Sequence, residues 1–186
     1  MAINKNTSKY CETRLSGSGG QGLILGGIIL ARGAIKDGLK VSQSQSYGPE
    51  SRGGSSRADV IINDDMIYYP EATHFDILLA LNQESCDKYI YDLKPEGVLI
   101  VDTTFVKNVS VMDSKVYEVP FTKLATEKIG SVVTTNILAL SFLVKITKVI
   151  TEKSLEEAIK ESVKPAFYEM NMKAMKLGFE LADNYK

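Results

Sequence analysis

The chain has 186 residues, 44% of them hydrophobic and 24% charged, enough for one domain with an ample core. Its 22 Lys and Arg against 23 Asp and Glu leave a net charge of −1, which gives no ground for nucleic acid or an anionic membrane as a partner. The longest apolar run, residues 23–31, is broken by Gly26 and Gly27 and is too short to span a bilayer; no hydrophobic signal segment follows Met1-Ala2-Ile3-Asn4-Lys5, so a cytoplasmic location is expected.

Residues 9–16 read as a first strand. Gly17-Ser18-Gly19-Gly20-Gln21-Gly22 follows at once, and behind it residues 23–32 are apolar on nearly every face. That pattern predicts a helix buried between a sheet and another layer. Gly26 and Gly27 inside it each cost about 1 kcal/mol against Ala, and make sense if a neighbouring backbone passes close. A second strand is predicted over 39–46, where Ser42, Gln43, Ser44, Gln45 and Ser46 replace the Val/Ile run usual in a central parallel strand.

Beyond the loop from Tyr47 to Ser55, residues 58–62 and 66–69 flank Asn63-Asp64-Asp65 and predict a hairpin. Residues 75–81 are the clearest buried strand. A short helix is expected over 83–92, a turn at Lys94-Pro95-Glu96-Gly97, and further strands over 98–102 and 115–119. From about 121 onward the chain reads as helical, with Ser154-Leu155-Glu156-Glu157 marking a capped helix start and a last helix over 166–183. No linker, repeat or low-complexity tract interrupts residues 1–186. The expected fold is one α/β domain: a Rossmann-like, doubly wound, mostly parallel sheet with a β-hairpin insert and a C-terminal helical tail.

Gly17, Gly19 and Gly22 fit the G-x-G-x-x-G fingerprint between strand and helix. Glycines allow a tight turn, and the helix N-terminus offers free N–H groups to a phosphate. The fingerprint alone is weak. An NAD site calls for an acid at the end of the second strand to grip the ribose, and Ser42, Gln43 and Ser44 stand there instead. The loop therefore suits another anionic ligand or a partner segment, or else tight strand–helix packing with no ligand. Arg52 and Arg57, separated by Gly53, Gly54, Ser55 and Ser56, add two guanidinium groups suited to a phosphate or carboxylate.

No catalytic constellation appears. Cys11, Cys86 and His74 are the only soft ligands in the sequence, whereas an iron–sulfur cluster normally takes four Cys and structural zinc four Cys or His. The chain alone is expected to hold no metal, and its cysteines read as plain thiols.

Together, the Gly17–Gln21–Gly22 loop, the block Ser46-Tyr47-Gly48-Pro49-Glu50-Ser51-Arg52-Gly53-Gly54, and Asn136-Ile137-Leu138-Ala139-Leu140 resemble the γ subunit family of 2-oxoacid:ferredoxin oxidoreductases, over about residues 10–180. The resemblance implies a complex that cleaves a 2-oxoacid on thiamine diphosphate, passes electrons through 4Fe–4S clusters to ferredoxin or a similar acceptor, and transfers the acyl group to coenzyme A. It implies that the thiamine and clusters sit on thiamine-binding α/β-type and ferredoxin-like δ-type partners, with no cofactor on this chain alone. The γ chain is then associated with coenzyme A access and assembly, in a complex whose 2-oxoacid is expected to be 2-oxoglutarate. The candidate binding residues are Gly17, Gly19, Gly20, Gln21, Gly22, Arg52, Gly53, Gly54, Arg57 and Asn136. A stand-alone nucleotide-dependent oxidoreductase and a pure scaffold are the alternatives.

The last helix carries two apolar stripes, one from Phe167 through Met170, Ala174, Leu177 and Leu181, the other from Tyr168 through Met172, Met175, Phe179 and Ala182. Together they cover more than half the circumference. An interface is expected there, either γ–γ or with a partner subunit; the other reading sinks the helix in a groove of its own domain.

Overall fold

The computed structural model describes residues 9–47, 55–110 and 113–185. Strand β1 (Cys11–Ser18) leads through the glycine loop into α1 (Leu23–Lys36). Next come β2 (Lys40–Tyr47), β3 (Ser55–Asn63), β4 (Phe75–Ala80), α2 (Gln83–Tyr89), β5 (Leu93–Asp102) and β6 (Lys115–Val119). The remainder is helical: α3 (Phe121–Leu124), a π-turn (Ala125–Ile129), α4 (Thr135–Thr147), α5 (Glu152–Ser162) and α6 (Tyr168–Asp183).

The strands form one sheet in the order β2-β3-β1-β4-β5-β6. β1, β4, β5 and β6 run parallel, while β3 runs antiparallel to both its neighbours. The α/β expectation holds, and the hairpin insert is β2–β3. The hairpin expected around Asn63-Asp64-Asp65 does not form, because β3 already has β2 on one side and β1 on the other. Residues 66–69 find no free edge there. Instead, the Pro70 carbonyl accepts from Ser42 Oγ at 3.1 Å, and the Thr73 N–H donates to Glu12 at 3.1 Å. β2 is an edge strand rather than a central one, which explains its hydroxyls and amides: Ser44, Gln45 and Ser46 are exposed. The turn expected at Lys94-Pro95-Glu96-Gly97 becomes a bulge inside β5, between Leu93 paired with Phe75 and Val98 paired with Ile77.

Two cores lie on opposite faces of the sheet. One joins Leu15 and Leu79 to α1, α4, α5 and α6 through Ile29, Leu30, Phe142 and Ile159. The other packs Phe75, Leu78 and Leu99 against α2 through Cys86 and Tyr89. Gly27 lets α1 approach β3, since a Cβ there would lie 2.7 Å from the Ala58 Cβ. α6 approaches α4 still more closely: a Cβ on Gly178 would meet the Leu138 carbonyl oxygen at 2.5 Å. Ala174, Met175 and Ala182 are buried with it, and Met172, Leu177, Phe179 and Leu181 pack against the same core. Most of the surface expected as an interface is thus spent inside the domain. Phe167, just before α6, remains 48% exposed.

On the α2 face a charged pair is buried. Arg14 Nε and Nη2 donate to Asp59 Oδ1 and Oδ2 at 2.6 and 2.7 Å, with the two residues 3% and 5% exposed. The guanidinium also lies 3.9 Å from the Phe75 ring centroid and 4.5 Å from that of Tyr89.

The start of α5 differs from expectation in its cap. Thr151, not Ser154, is the N-cap, accepting from the Ser154 N–H at 3.2 Å. Ser154 serves a different contact. The Asp37 carboxylate, just past α1, accepts from Thr151 N–H (2.6 Å), Thr151 Oγ1 (2.7 Å) and Ser154 Oγ (2.6 Å), tying α1 to α5. Desolvation alone would raise the Asp37 pKa, but these bonds outweigh it and hold the carboxyl below its ordinary value. A depressed folded-state pKa stabilises the fold above the unfolded value, and that stabilisation is lost as the pH falls through the folded one. The melting-temperature gap between the natural chain and Asp37→Asn is therefore expected to be full at neutral pH and to shrink below the ordinary value of 3.8. Thermal denaturation of both chains across that range measures it.

Candidate functional site

The glycine loop turns at the carboxyl end of β1, on the edge where the parallel strands end and open α/β sheets bind ligands. Gln21 shapes the turn: its N–H donates to the Ser18 carbonyl at 3.3 Å and its Oε1 accepts from the Ser18 N–H at 2.6 Å. Gln21 Nε2 reaches the Leu81 carbonyl at the end of β4, at 3.4 Å. Asn82 makes a second tie, donating from Nδ2 to Ser18 Oγ at 2.6 Å while its Oδ1 caps α2 through the Ser85 N–H. Asn82 was not among the residues singled out in the sequence, although an Asn between a buried strand and a helix start is a readable N-cap signal.

Gly22 is the N-cap of α1, at φ 73 and ψ 22, with no side-chain cap and no acid in the first turn. Its carbonyl accepts from Gly26 N–H at 2.9 Å and from Asn136 Nδ2 at 3.0 Å. Asn136 is 5% exposed, and its Oδ1 accepts from the Ile137 N–H. No side chain caps the α1 N-terminus. A Cβ at Gly19 or Gly20 would meet nothing within 4 Å, so the space above the loop is open. Free N–H groups and the positive end of a helix dipole under open space favour an anion.

Of the expected residues, Gly17, Gly19, Gly20, Gln21, Gly22 and Asn136 come together. Gly17 pairs with Ser56 and Ser18 with Ser55, so β3 begins beside the loop. Arg52, Gly53 and Gly54 lie outside the described residues. Arg57 is set apart: Ala58 faces α1, so its neighbour in the strand faces the other way. The Arg57 guanidinium lies 3.8 Å from Asp59 Oδ2 and 5.9 Å from the Tyr89 ring centroid, on the α2 side of the sheet. β3 also displaces β2 from beside β1, which removes the neighbouring strand end from which an acid grips ribose in dinucleotide folds.

Two cavities flank the loop. An apolar groove of about 390 Å³ runs between Leu25 of α1, Val133, Asn136 and residues 162–171. A smaller one, of about 210 Å³, is lined by Gly20, Gln21, Phe105, Thr122, Val132, Val133 and Thr135. Sequence periodicity could not show the groove, because its walls come from three separate segments.

Elsewhere the chemistry is quiet. Burial pushes the Cys11 and Cys86 thiols up to about 11, which keeps them protonated at neutral pH. Among the described residues no three His, Cys, Asp or Glu gather as metal ligands, and no helix is long and apolar enough to cross a membrane.

The family model described as pyruvate ferredoxin/flavodoxin oxidoreductase matches residues 12–181. The 2-oxoglutarate synthase subunit KorC of Methanocaldococcus jannaschii is 42% identical over 174 residues, covering 92% of this chain and 93% of that protein. A crystal structure of the γ subunit of keto/oxoacid ferredoxin oxidoreductase from Geobacter sulfurreducens superposes with a TM-score of 0.87 at 43% identity, covering 94% and 97% of the two chains. The 2-oxoglutarate:ferredoxin oxidoreductase of Magnetococcus marinus, with 2-oxoglutarate, coenzyme A and succinyl-CoA bound, shares the fold at TM-score 0.85 and 23% identity; the match covers 94% of this chain and 31% of that one.

Proposed function

We propose, from the premise that this chain belongs to the pyruvate ferredoxin/flavodoxin oxidoreductase family as a γ-type subunit, that it serves a cytoplasmic 2-oxoglutarate:ferredoxin oxidoreductase by holding the phosphates of coenzyme A at its glycine loop. The complex converts 2-oxoglutarate, coenzyme A and an oxidised acceptor into succinyl-CoA, CO₂ and the reduced acceptor. The thiamine diphosphate and 4Fe–4S clusters that this reaction needs reside on partner subunits. Cys11 and Cys86 are the only cysteines in the sequence, short of the four ligands of a cluster, and the chain contributes binding and assembly rather than redox chemistry.

The observation that carries the reading is the uncapped N-terminus of α1 beneath open space. No side chain caps the N–H groups that follow Gly22, and a Cβ at Gly19 or Gly20 would meet nothing within 4 Å, which leaves room for an anion. Gln21 and Asn136 hold the loop in that shape from opposite sides. The scaffold reading has no such explanation for an N-terminus without a cap, and the NAD reading lacks both its acid and its neighbouring strand.

Gly19→Asp tests the proposal. A Cβ at Gly19 has room, so the fold accepts the side chain, while the new carboxylate stands where the phosphates would. Loss of the charge-assisted bonds to an anion, about 1.5–3 kcal/mol, should raise the KM for coenzyme A by about 10- to 150-fold in the reconstituted complex, with Gly19→Ala as the control. An unchanged KM in Gly19→Asp returns the loop to strand–helix packing.

A further inference from the structure

Resting on the reading just given, we infer that Asn82 is a positioning residue, which turns the Ser18 hydroxyl into a donor aimed out of the glycine loop, at the anion the loop holds. The chain of hydrogen bonds behind this role starts at α2. Asn82 is the N-cap of that helix, and its Oδ1 accepts from the Ser85 N–H at 2.9 Å. The Ser85 hydroxyl, on a fully buried residue, meets the same oxygen. A backbone N–H can only donate, so the atom it meets is the carbonyl oxygen of the amide, and the amide nitrogen lies on the other side. There Nδ2 donates to Ser18 Oγ at 2.6 Å. Ser18 Oγ is thereby an acceptor toward Asn82, and its own proton points elsewhere.

Among the described residues nothing takes that proton. The Ser18 N–H donates to Gln21 Oε1, and the Ser18 carbonyl accepts from the Gln21 N–H. Of the two polar hydrogens of Ser18, the N–H is thus spent inside the loop and the O–H is not. Ser18 is half-buried at the end of β1, and the next two residues, Gly19 and Gly20, have open space where a Cβ would stand. A hydroxyl proton released at that rim is a neutral donor, and a hydrogen bond from it to an ionised acceptor is of the stronger kind.

Helix capping does not by itself call for an amide here. Asp caps a helix as well as Asn does, and a carboxylate would also suit the positive end of the α2 dipole. A carboxylate would offer Ser18 an acceptor, however, and the hydroxyl would turn inward to donate to it. Asn satisfies the helix and leaves the Ser18 proton to the loop.

The test uses the reconstituted complex with coenzyme A as the probe, read as KM, kcat and the dissociation constant from calorimetry. Ser18→Ala should raise KM and the dissociation constant about tenfold, the lower end for a hydrogen bond to a charged group. It should leave kcat unchanged, since the bond is the same in ground and transition states. Ser18→Thr keeps the hydroxyl and should restore both constants. Asn82→Asp should match Ser18→Ala with no fall in melting temperature, because α2 keeps its cap. Asn82→Ser, which caps the helix but frees the hydroxyl instead of turning it inward, should weaken coenzyme A less, and it serves if Asn82→Asp fails to fold. The new charge of Asn82→Asp is separated by the double variant Ser18→Ala with Asn82→Asp, which should bind no more weakly than either single variant. Losses that multiply in the double variant would show the charge acting directly and overturn the role of Asn82. So would unchanged constants in Ser18→Ala, natural binding in Asn82→Ser, or a fall in kcat at an unchanged KM. If Gly19→Asp weakens coenzyme A and Ser18→Ala does not, the loop reading stands and Asn82 loses its role; if Gly19→Asp weakens nothing, both fall.

Discussion

Replacing Asp59 with Ala is expected to cost the fold about 3–5 kcal/mol, the range for breaking a buried ion pair from one side. Arg14 would be left charged beneath α2, 3% exposed, with the rings of Phe75 and Tyr89 as its remaining neighbours at 3.9 and 4.5 Å. Those contacts are worth only about 0.5–2 kcal/mol each and do not replace a bidentate carboxylate. Arg57, 3.8 Å from the same Asp59, would be released as well. Domains are stable by about 5–15 kcal/mol, so a substantial share of the margin is at stake. Denaturant melts of the full chain measure it, with the midpoint falling and the slope unchanged. The double change Arg14→Met with Asp59→Leu should recover most of the loss, since apolar replacements of a buried pair are often neutral or stabilising. If the double variant is as unstable as Asp59→Ala, packing rather than unpaired charge is the cause.

The other large effect is expected at Gly22. Its φ of 73 lies in the left-handed region, which costs a residue with a Cβ about 1–2 kcal/mol, and a branched side chain is a poor fit there. A Cβ would also sit 2.5 Å from Asn136 Nδ2, adding about 1–3 kcal/mol of overpacking. Gly22→Val should therefore lose stability through both terms and break the bond from Asn136 that holds the Gly22 carbonyl. Coupling to Asn136→Ala separates them. The second change removes the clash but leaves the backbone strain, so the double variant should recover stability relative to Gly22→Val. It should not recover the KM for coenzyme A. A double variant that binds coenzyme A normally would show that neither the backbone angle nor the Asn136 bond matters to the site.

The parallel strands were legible because β4 holds the apolar run Ile77-Leu78-Leu79-Ala80 and β5 the run Val98-Leu99-Ile100-Val101, and α1 because its greasiness follows a glycine turn. The β2–β3 pairing was not. Alternation and turn residues around Asn63-Asp64-Asp65 satisfy a local hairpin rule, and that rule cannot know that both edges of β3 are taken by segments elsewhere in the chain. The same insertion separated Arg57 from the loop: its place in the sequence puts it near, and its place in the pleat turns it to the other face. In α6 the two apolar stripes were read as an interface with another chain, with a groove of the chain's own domain as the other reading, and much of that surface packs within the domain. Their partner proved to be α4, brought within reach by Gly178, a contact that helix periodicity does not specify. Arg14 and Asp59 carried no signal at all, because nothing local marks two opposite charges in different strands as a pair.

The bond from Asn136 to the Gly22 carbonyl joins residues 114 positions apart, and Asp37 reaches Thr151 over the same separation. The glycine motif therefore depends on helices made last. A chain truncated before α4 would contain every residue of the fingerprint, yet neither the carboxamide that fixes its cap nor the helix that covers α1. Grafting residues 11–36 onto another parallel sheet would transfer the letters without the geometry. On a ribosome the loop could take its folded shape only after α4 has emerged, although the motif is among the first segments made.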